Sequence, residues 1–241
     1  MIHRFTRNFY DMFSEGVYVQ NEGEAEYFPG FMQKRIFVIP NITDEVFTKI
    51  SVPPKEEIKR FITAGRLVDQ KNHEMLIRAF TDAVRSTENE SATLEIYGDG
   101  ELEMKLKKLV RKLGMEGRIS IPGRTKALPE KYAASDAFVL SSDFEGQPNA
   151  LMEAMFAGLP CISTDCPDGP SDLIEDGVSG LLVPVGDREA MRDALVFIMT
   201  HHEQANDMGK KAKVFMTENF NAKAIAQRFV DECAALKNRL I

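Results

Sequence analysis

The sequence predicts an α/β protein built on a doubly wound, six-stranded parallel sheet of the Rossmann-like kind, with a helical C-terminal segment. From about residue 58, short apolar runs alternate with longer amphipathic segments, as they do in consecutive βα units. The residues with chemical character cluster directly after the apolar runs, where such sheets bind ligands. After Pro184 the pattern is entirely helical.

Each element follows from a local pattern. The apolar runs predict strands at 60–65, 92–98, 117–121, 136–141, 159–163 and 179–184. Helical spacing of apolar residues predicts helices at 74–86, 101–113, 126–134, 148–157 and 170–175. Asp187 is a good N-cap for a helix at 188–200, and two further helices are expected at 203–218 and 221–240.

The first 40 residues do not fit this plan. They contain an aromatic, mixed-charge stretch to Phe13, a short strand at 17–20, a helix to about Gln33 and a second strand at 35–39.

Composition limits the classes of function. The chain has 241 residues, of which 44% are hydrophobic, so it can form one large domain or one domain with fragments. Its net charge of −7 argues against a broad nucleic-acid-binding surface. A local basic cluster is better explained as the solvated face of an amphipathic helix than as a surface that contacts a membrane or an acceptor substrate. Its members are Lys105, Lys107, Lys108, Arg111 and Lys112.

Cysteine and histidine positions predict a cytoplasmic protein without a metal site. Cys161, Cys166 and Cys233 form no CxxC pair, which suits a reducing compartment. The four histidines lack the spacing of metal ligands, and we expect His73 at the exposed start of a helix. Apolar runs stay shorter than the roughly 18 residues of a membrane span.

A pair of carboxylates flanks a predicted helix start. Glu145 follows the apolar run 137–140, and Pro148 suits the first position of a helix that carries Glu153. The amides of a first helical turn suit an anion such as diphosphate, whereas carboxylates suit hydroxyl groups. This arrangement would suit a ligand that is sugar, diphosphate and ribose in sequence, although spacing alone is also compatible with two ordinary surface glutamates.

Two other strand ends carry candidate residues. Gly65 closes the first strand of the sheet and is followed by Arg66 and Lys71, two cations that can hold a diphosphate, unless they belong to a solvated loop. Gly98 and Gly100 favour a tight strand-to-helix turn over backbone approach to a ligand. Gly123 and Arg124 end the next strand, where the arginine is either a ligand contact or an exposed loop residue.

The whole string from Ser142 to Met155, with Gly158-Leu159-Pro160, closely resembles the signature of the retaining group 1 glycosyltransferases. The resemblance extends over roughly residues 17 to 220. Its further segments are Val38–Asn41, Phe61–Leu67 with Lys71-Asn72, Leu94–Gly100 and Gly177–Val183.

This resemblance implies a GT-B fold, which has two facing Rossmann-like domains, and an enzyme of hexosyltransferase type. Arg66 and Lys71 would contact the diphosphate, Glu145 the transferred sugar and Glu153 the ribose; the first three would be the catalytic groups. Neither a metal nor another cofactor is implied. Further donor contacts would lie at Gly65, Gly98, Gly123, Arg124, Gly146, Gln147, Asn149, Ala150 and Leu151. Pro148 departs from many members of the family because it has no N–H to donate.

The resemblance also implies a domain organisation. Residues 1–40 would be the remnant of an N-terminal domain and linker, 41–220 the nucleotide-sugar-binding domain, and 221–241 a helix that crosses back. We expect a donor-binding half that is inactive alone. Its last helix would expose an apolar stripe formed by Ile225, Phe229, Cys233, Leu236 and Leu240.

The implied partners are a nucleoside diphosphate sugar, foremost a UDP-sugar, a glycan or lipid-linked glycan acceptor in polysaccharide assembly, and the N-terminal domain. Peripheral membrane association of the full enzyme is a further expectation. Two alternatives stay open, a non-catalytic nucleotide-binding module and a sugar-nucleotide epimerase of the same fold. An epimerase needs acid and base groups around the sugar, and this chain offers only Glu145.

Overall fold

The computed structural model describes residues 14, 16–26, 28–87, 89, 91–167 and 169–239, with side chains to residue 235. The predictions for the stretch to Phe13 and for the side chains of Leu236 and Leu240 lie outside the described residues. The division into 1–40, 41–220 and 221–241 stays a prediction.

The predicted doubly wound parallel sheet is confirmed. Its six strands are β3 (Arg60–Ala64), β4 (Thr93–Tyr97), β5 (Ile119–Gly123), β6 (Ala137–Leu140), β7 (Cys161–Thr164) and β8 (Leu181–Val183). They lie in the order β5-β4-β3-β6-β7-β8 with every neighbouring pair parallel. The chain reverses its winding direction between β3 and β6, and the carboxyl ends of these two strands therefore flank the crevice where such sheets bind ligands.

The helices are α1 (Glu22–Glu26), α2 (Glu45–Thr48), α3 (His73–Thr87), α4 (Glu103–Leu113), α5 (Leu128–Ala134), α6 (Asn149–Ala157), α7 (Pro170–Leu173), α8 (Arg188–Thr200), α9 (His202–Asn219) and α10 (Ala222–Arg239). Two short 3₁₀ turns span Gln33–Arg35 and Asp69–Lys71. Strands β1 (Val17–Val19) and β2 (Ile36–Val38) form a separate two-stranded parallel sheet.

Helices cover both faces of the large sheet. Adjacent residues of a strand point to opposite faces, so Phe61 packs with α3, α4 and α8, while Ile62 packs with α6 and α9. On the first face the ring of Phe61 lies 5.6 Å from that of Phe80. All four residues of β6 are buried, as expected for a parallel strand covered on both sides.

The predicted helix to about Gln33 is wrong. Helix α1 ends at Glu26, and Met32 donates instead to the carbonyl of Pro29 in a separate turn. Proline has no N–H to continue a helical hydrogen-bond ladder, and Gly30 after it is a poor helix former. The helical spacing in this stretch is therefore interrupted by local backbone chemistry.

Helix α4 confirms the amphipathic interpretation of the basic cluster. Leu106, Leu109 and Val110 are buried, whereas Lys108 and Arg111 are exposed on the opposite side. The cluster therefore lies on the solvated face of a helix.

The last helix returns to the N-terminal segment. Ile225 is buried, the ring of Phe229 lies 5.0 Å from that of Tyr18, and Cys233 Sγ lies 3.2 Å from the Tyr18 hydroxyl. The expected apolar stripe is therefore confirmed only in part: Ile225 is buried and the helix contacts β1, whereas Phe229 and Cys233 are exposed. Val230, next to Phe229, is exposed as well. Within the described residues, no helix is long and apolar enough to cross a membrane.

Candidate functional site

The loops that follow β3 and β6 are joined to each other by hydrogen bonds. The backbone N–H of Asp143 donates to the carbonyl of Gln70 at 2.8 Å, and the Gln70 side chain donates to the carbonyl of Phe144 at 2.8 Å. Asn72 donates from its side chain to the Asp143 carboxylate at 2.7 Å. Asn72 also caps α3, because its side-chain oxygen accepts from Met75 N at 3.3 Å. The two strand ends of the crevice thus form one connected unit.

Two predicted site residues meet in a buried ion pair at this junction. Lys71 Nζ lies 2.5 Å from Glu145 Oε1, and the two side chains are only 17% and 7% exposed. The same carboxylate oxygen accepts from Ser142 Oγ at 2.6 Å, while Ser141 Oγ donates to the carbonyl of Lys71 at 2.8 Å. A buried ion pair is maintained by such additional hydrogen bonds. An ammonium group has three donors, so Lys71 can contact an anion while it remains paired with Glu145.

A cleft of about 320 Å³ lies at the carboxyl ends of β3, β4 and β5. Four predicted contacts line it, namely Gly65, Arg66, Gly98 and Arg124. A Cβ at Gly65 would lie 3.5 Å from Lys71 Cε, so the lysine stem passes over this glycine and connects the cleft with the pair. Arg124 is 78% exposed and lies 3.8 Å from the carboxylate of Asp99.

Gly98 is required by the close approach of two strand ends. Its φ is +146°, and a Cβ there would lie 1.8 Å from the carbonyl oxygen of Gly65. No side chain fits such a space, which supports the tight-turn interpretation of this glycine. Gly98 also lines the cleft, so its predicted contact with a ligand stays open.

Helix α6 begins one residue later than predicted. Asn149 is the first helical residue and Pro148 occupies the N-cap position. The carbonyl of Pro148 accepts from Leu151 N at 2.9 Å and from Met152 N at 3.1 Å. The amide of Leu151 is therefore engaged within the helix, and a phosphate contact through it would compete with this bond. The amides of the preceding residues, at Asn149 and Ala150, belong to the end of the helix that attracts anions.

Glu153 is a half-buried carboxylate with few hydrogen-bond donors. The hydroxyl of Tyr132 lies 3.4 Å from Glu153 Oε2 and 3.3 Å from the carbonyl of Ala150, so one proton serves two acceptors. Burial raises the pKa of Glu153 to about 7; the Tyr132 hydroxyl opposes this shift and the nearby Asp44 carboxylate adds to it. Hydroxyl groups of a ligand would supply the missing donors.

His73 corrects one expectation. It is 3% exposed, whereas the sequence placed it on the surface at the start of a helix. Burial lowers its pKa to about 4, against a smaller opposing effect of the Arg66 backbone, so the imidazole is neutral at pH 7. The first turn of α3 packs into the core because Met75, Leu76 and Ile77, which follow, are also buried.

Some residues at the site were not predicted as functional. Asn21 donates from its side chain to the carbonyl of Gly146 at 3.1 Å. Asn41 donates from its backbone to the side-chain oxygen of Gln147 and from its side chain to Asn149 Oδ1 at 2.9 Å. The side-chain oxygens of two predicted donor contacts, Gln147 and Asn149, thus accept hydrogen bonds from Asn41, in the segment between β2 and α2. The segment Val38–Asn41 belonged to the resemblance, which was the available signal for Asn41.

In the part of the chain that the structure describes, no group of three or more His, Cys, Asp or Glu side chains could hold a metal ion. Metal independence stays a prediction, as do the roles of the site residues toward a ligand.

The chain is similar to known proteins in sequence and in fold. The family model described as glycosyl transferases group 1 matches residues 44–215. An uncharacterized glycosyltransferase of Methanocaldococcus jannaschii is 35% identical over 152 residues, which cover 59% of this chain and 37% of that protein. The poly(ribitol-phosphate) alpha-N-acetylglucosaminyltransferase of Staphylococcus aureus is 28% identical over 222 residues, which cover 90% of this chain and 43% of that protein.

A solved structure shows the same fold. Anabaena Alr3699/HepE in complex with UDP-glucose matches with a TM-score of 0.85 at 20% identity, over 96% of this chain and 67% of that one. The chain spans half or less of the length of the curated relatives, for example 37% and 43% of the two named above.

Proposed function

The chain belongs to the family of group 1 glycosyltransferases, and from this membership we propose that it is the donor-binding part of a retaining enzyme. The enzyme would move a sugar from a nucleoside diphosphate sugar, foremost a UDP-sugar, to a glycan or lipid-linked glycan. The observation that carries this proposal is the junction of β3 and β6. There the paired Lys71 and Glu145 adjoin a cleft lined by Arg66.

The proposed chemistry uses charge and position. Arg66, Lys71 and the first amides of α6 hold the diphosphate and stabilise the negative charge it gains when the bond to the sugar breaks. The acceptor hydroxyl attacks the same face of the sugar that the diphosphate leaves, and its proton passes to the diphosphate. A protein nucleophile is therefore not needed. Glu145 orients the sugar, and Glu153 accepts from the ribose hydroxyls.

We also propose that donor binding is independent of metal ions, because two cations and a helix N-terminus supply the positive field. A thermal-shift panel of nucleoside diphosphates and their sugars, repeated with a chelator, tests this. Each of these ligands, UDP and the UDP-sugars, should raise the unfolding temperature by the same amount with the chelator as without it. A shift that requires magnesium or manganese would contradict metal independence. A response to other nucleotides alone would contradict the choice of base.

The two carboxylates should have separable effects on binding. Glu153→Gln should weaken UDP about 10- to 100-fold, since loss of a charge-assisted hydrogen bond costs about 1.5–3 kcal/mol. Glu145→Gln should leave UDP binding nearly intact and reduce the additional affinity of a UDP-sugar. Calorimetry measures both, with Glu203→Gln on an exposed helix start as the matched control. Equal losses of UDP and UDP-sugar affinity in both variants would exclude these roles.

We expect the chain by itself to bind donor without sustained transfer, because catalysis in a two-domain cleft requires groups from both sides. Transfer from a radiolabelled UDP-sugar to candidate acceptors, with and without added N-terminal half, tests this expectation. Sustained transfer by the chain alone would refute it. Interconversion of UDP-sugars without an acceptor would instead support the epimerase alternative, and binding without turnover in the presence of both halves would support the non-catalytic module.

A cytoplasmic location is part of the proposal, since the free cysteines Cys161, Cys166 and Cys233 suit a reducing compartment. Peripheral membrane association of the full enzyme is proposed on the resemblance alone.

A further inference from the structure

The loop that carries Glu145 is held from outside the six-stranded domain. Asn21, in the turn after β1, donates to the carbonyl of Gly146, and Asn41, after β2, bonds to the side chains of Gln147 and Asn149. These contacts join residues 106 to 125 positions apart in sequence. Both asparagines lie before residue 44, where the match to the family model begins.

The orientation of the Asn21 side chain is fixed by two reciprocal bonds at the start of α1. Its side-chain oxygen accepts from Glu24 N at 2.8 Å, and the Glu24 carboxylate accepts from Gln20 N at 2.8 Å. This arrangement resembles a capping box, in which the side chains at the two ends satisfy backbone amides of the first turn. Asn21 is also only 5% exposed. Its amide nitrogen is consequently held against Gly146.

Asn41 is fixed in a similar way. Its side-chain oxygen accepts from Gln20 Nε2 at 2.9 Å. Because Gln20 directly precedes Asn21, both asparagines are attached to the same turn. Gly146 permits the close approach of this turn, because a Cβ there would lie 3.0 Å from Glu24 Oε1 and 3.5 Å from Gln20 Oε1. The turn after β1, Asn41 and the loop that carries Glu145 are therefore joined by hydrogen bonds.

We propose that Asn21 and Asn41 are positioning residues that hold the loop 145–147 and thereby set the affinity for the sugar part of the donor. The loop begins with Glu145, which is proposed to orient the sugar, whereas Arg66 and the first amides of α6, which are proposed to hold the diphosphate, lie outside it. Lys71 pairs with Glu145, but its backbone is also held by Ser141 Oγ. Releasing the loop 145–147 should therefore disturb the sugar contact more than the nucleotide contact. This inference rests on the proposed function.

The sharpest test is Asn21→Ser. Serine keeps an oxygen that can cap α1 but lacks the amide that donates to Gly146. Calorimetry should show UDP affinity within about twofold of the wild type. The additional affinity of the best-bound sugar nucleotide among UDP-glucose, UDP-galactose and UDP-N-acetylglucosamine should fall about fivefold, the ratio that corresponds to one hydrogen bond. Asn41→Ser should act in the same direction.

Asn206→Ser is the matched control. The Asn206 side chain makes two bonds to the backbone of Lys55, at 3.0 and 2.8 Å, and so joins the segment before β3 to α9. It should lower stability without changing the additional affinity for the sugar. Equal losses of UDP and UDP-sugar affinity in Asn21→Ser, or the sugar-specific loss in Asn206→Ser, would overturn the proposal.

Hydrogen exchange without ligand separates this inference from the proposed function. In Asn21→Ser the amides of residues 145–147 should exchange faster, while those of β6 and of α9 keep the wild-type rate. Unchanged exchange in the loop would overturn the positioning role whether or not the protein binds a donor. A wild-type protein that binds none of the tested nucleotides would overturn the proposed function, and faster loop exchange in the variant would still support the loop contact.

Discussion

A buried carboxylate, Asp136, and a half-buried one, Glu153, have opposite electrostatic environments. Asp136, just before β6, is 3% exposed and accepts from Lys59 N at 3.2 Å, from Arg60 N at 2.9 Å and from the Arg60 guanidinium at 2.8 Å. Glu153, on α6 near the crevice, has one shared contact with a tyrosine hydroxyl at 3.4 Å. Burial acts on both carboxyls in the same direction, but only Asp136 is fully compensated.

The pKa values reflect this difference. Burial alone would raise the pKa of Asp136, yet the hydrogen bonds from Arg60 and Lys59 hold it below its usual value. The pKa of Glu153 is raised to about 7. A carboxylate whose acceptor capacity is filled by its own chain stabilises the fold, whereas one that lacks donors is suited to bind a ligand. This distinction separates a structural acid from a candidate binding acid without reference to any relative.

The largest expected effect is on stability, at Asp136. Asp136→Ala leaves two backbone amides without their acceptor and should lower the free energy of unfolding by about 3 kcal/mol. Urea denaturation measures the loss, and the exposed Asp207→Ala should change stability by less than about 0.5 kcal/mol. UDP affinity of the folded protein should be unchanged. A clear loss of affinity would break the comparison, because Asp136 would then act on the site.

The second prediction concerns pH. The folded pKa of Glu153, about 7, lies above its ordinary value of 4.5, so its contribution to stability is complete below about pH 4.5 and is lost as the pH rises to about 7. Relative to Glu153→Gln, the wild type should therefore lose at most about 3 kcal/mol of stability between pH 4.5 and pH 8, since one pKa unit corresponds to about 1.4 kcal/mol. Urea unfolding of both proteins across this range measures the difference.

Asp136 should show the opposite sign. Its folded pKa is lowered from 3.8, so its contribution to stability is present above that value and is lost only on further acidification.

For Glu153, stability curves of the wild type and Glu153→Gln that run parallel from pH 4.5 to pH 8 would contradict its raised pKa.

The smallest expected effect is that of Tyr132→Phe. The ring should keep its packing against Phe138, 5.8 Å away, but the hydroxyl that favours ionised Glu153 is removed. UDP-sugar affinity at pH 7 should fall by at most about fivefold, and the loss should shrink at pH 8.5, where Glu153 is ionised in both proteins. Tyr18→Phe, at the C-terminal helix contact, is the control. A loss that is constant with pH would indicate a packing effect instead.

Local signals explain which elements the sequence predicted well. Helix α8 has the predicted bounds, and Asp187 caps it by accepting from Ala190 N at 2.9 Å. Helix α2, by contrast, was not predicted, although Asp44 caps it, because a four-residue helix is too short to show a period. The apolar runs placed all six strands of the sheet to within a few residues.

The site was predictable only as far as its residues lie at strand ends. That rule placed Lys71 and Glu145 on the same edge, but their direct pairing depends on the contact between two loops 74 residues apart. The partial burial of Glu153 and its contact with Tyr132 depend on how α5 packs on α6. The hydrogen bond from Asn21 to Gly146 joins residues 125 positions apart in sequence. Contacts between such distant residues leave no pattern in the local sequence.

The contact of α10 with β1 has a consequence for the order of folding. Tyr18 and Cys233 are 215 positions apart, against 74 for Lys71 and Glu145. Closing the longer loop costs roughly 1 kcal/mol more in chain entropy, and during synthesis α10 emerges after all six strands of the sheet. The sheet and its crevice can therefore assemble on the ribosome before α10 meets β1.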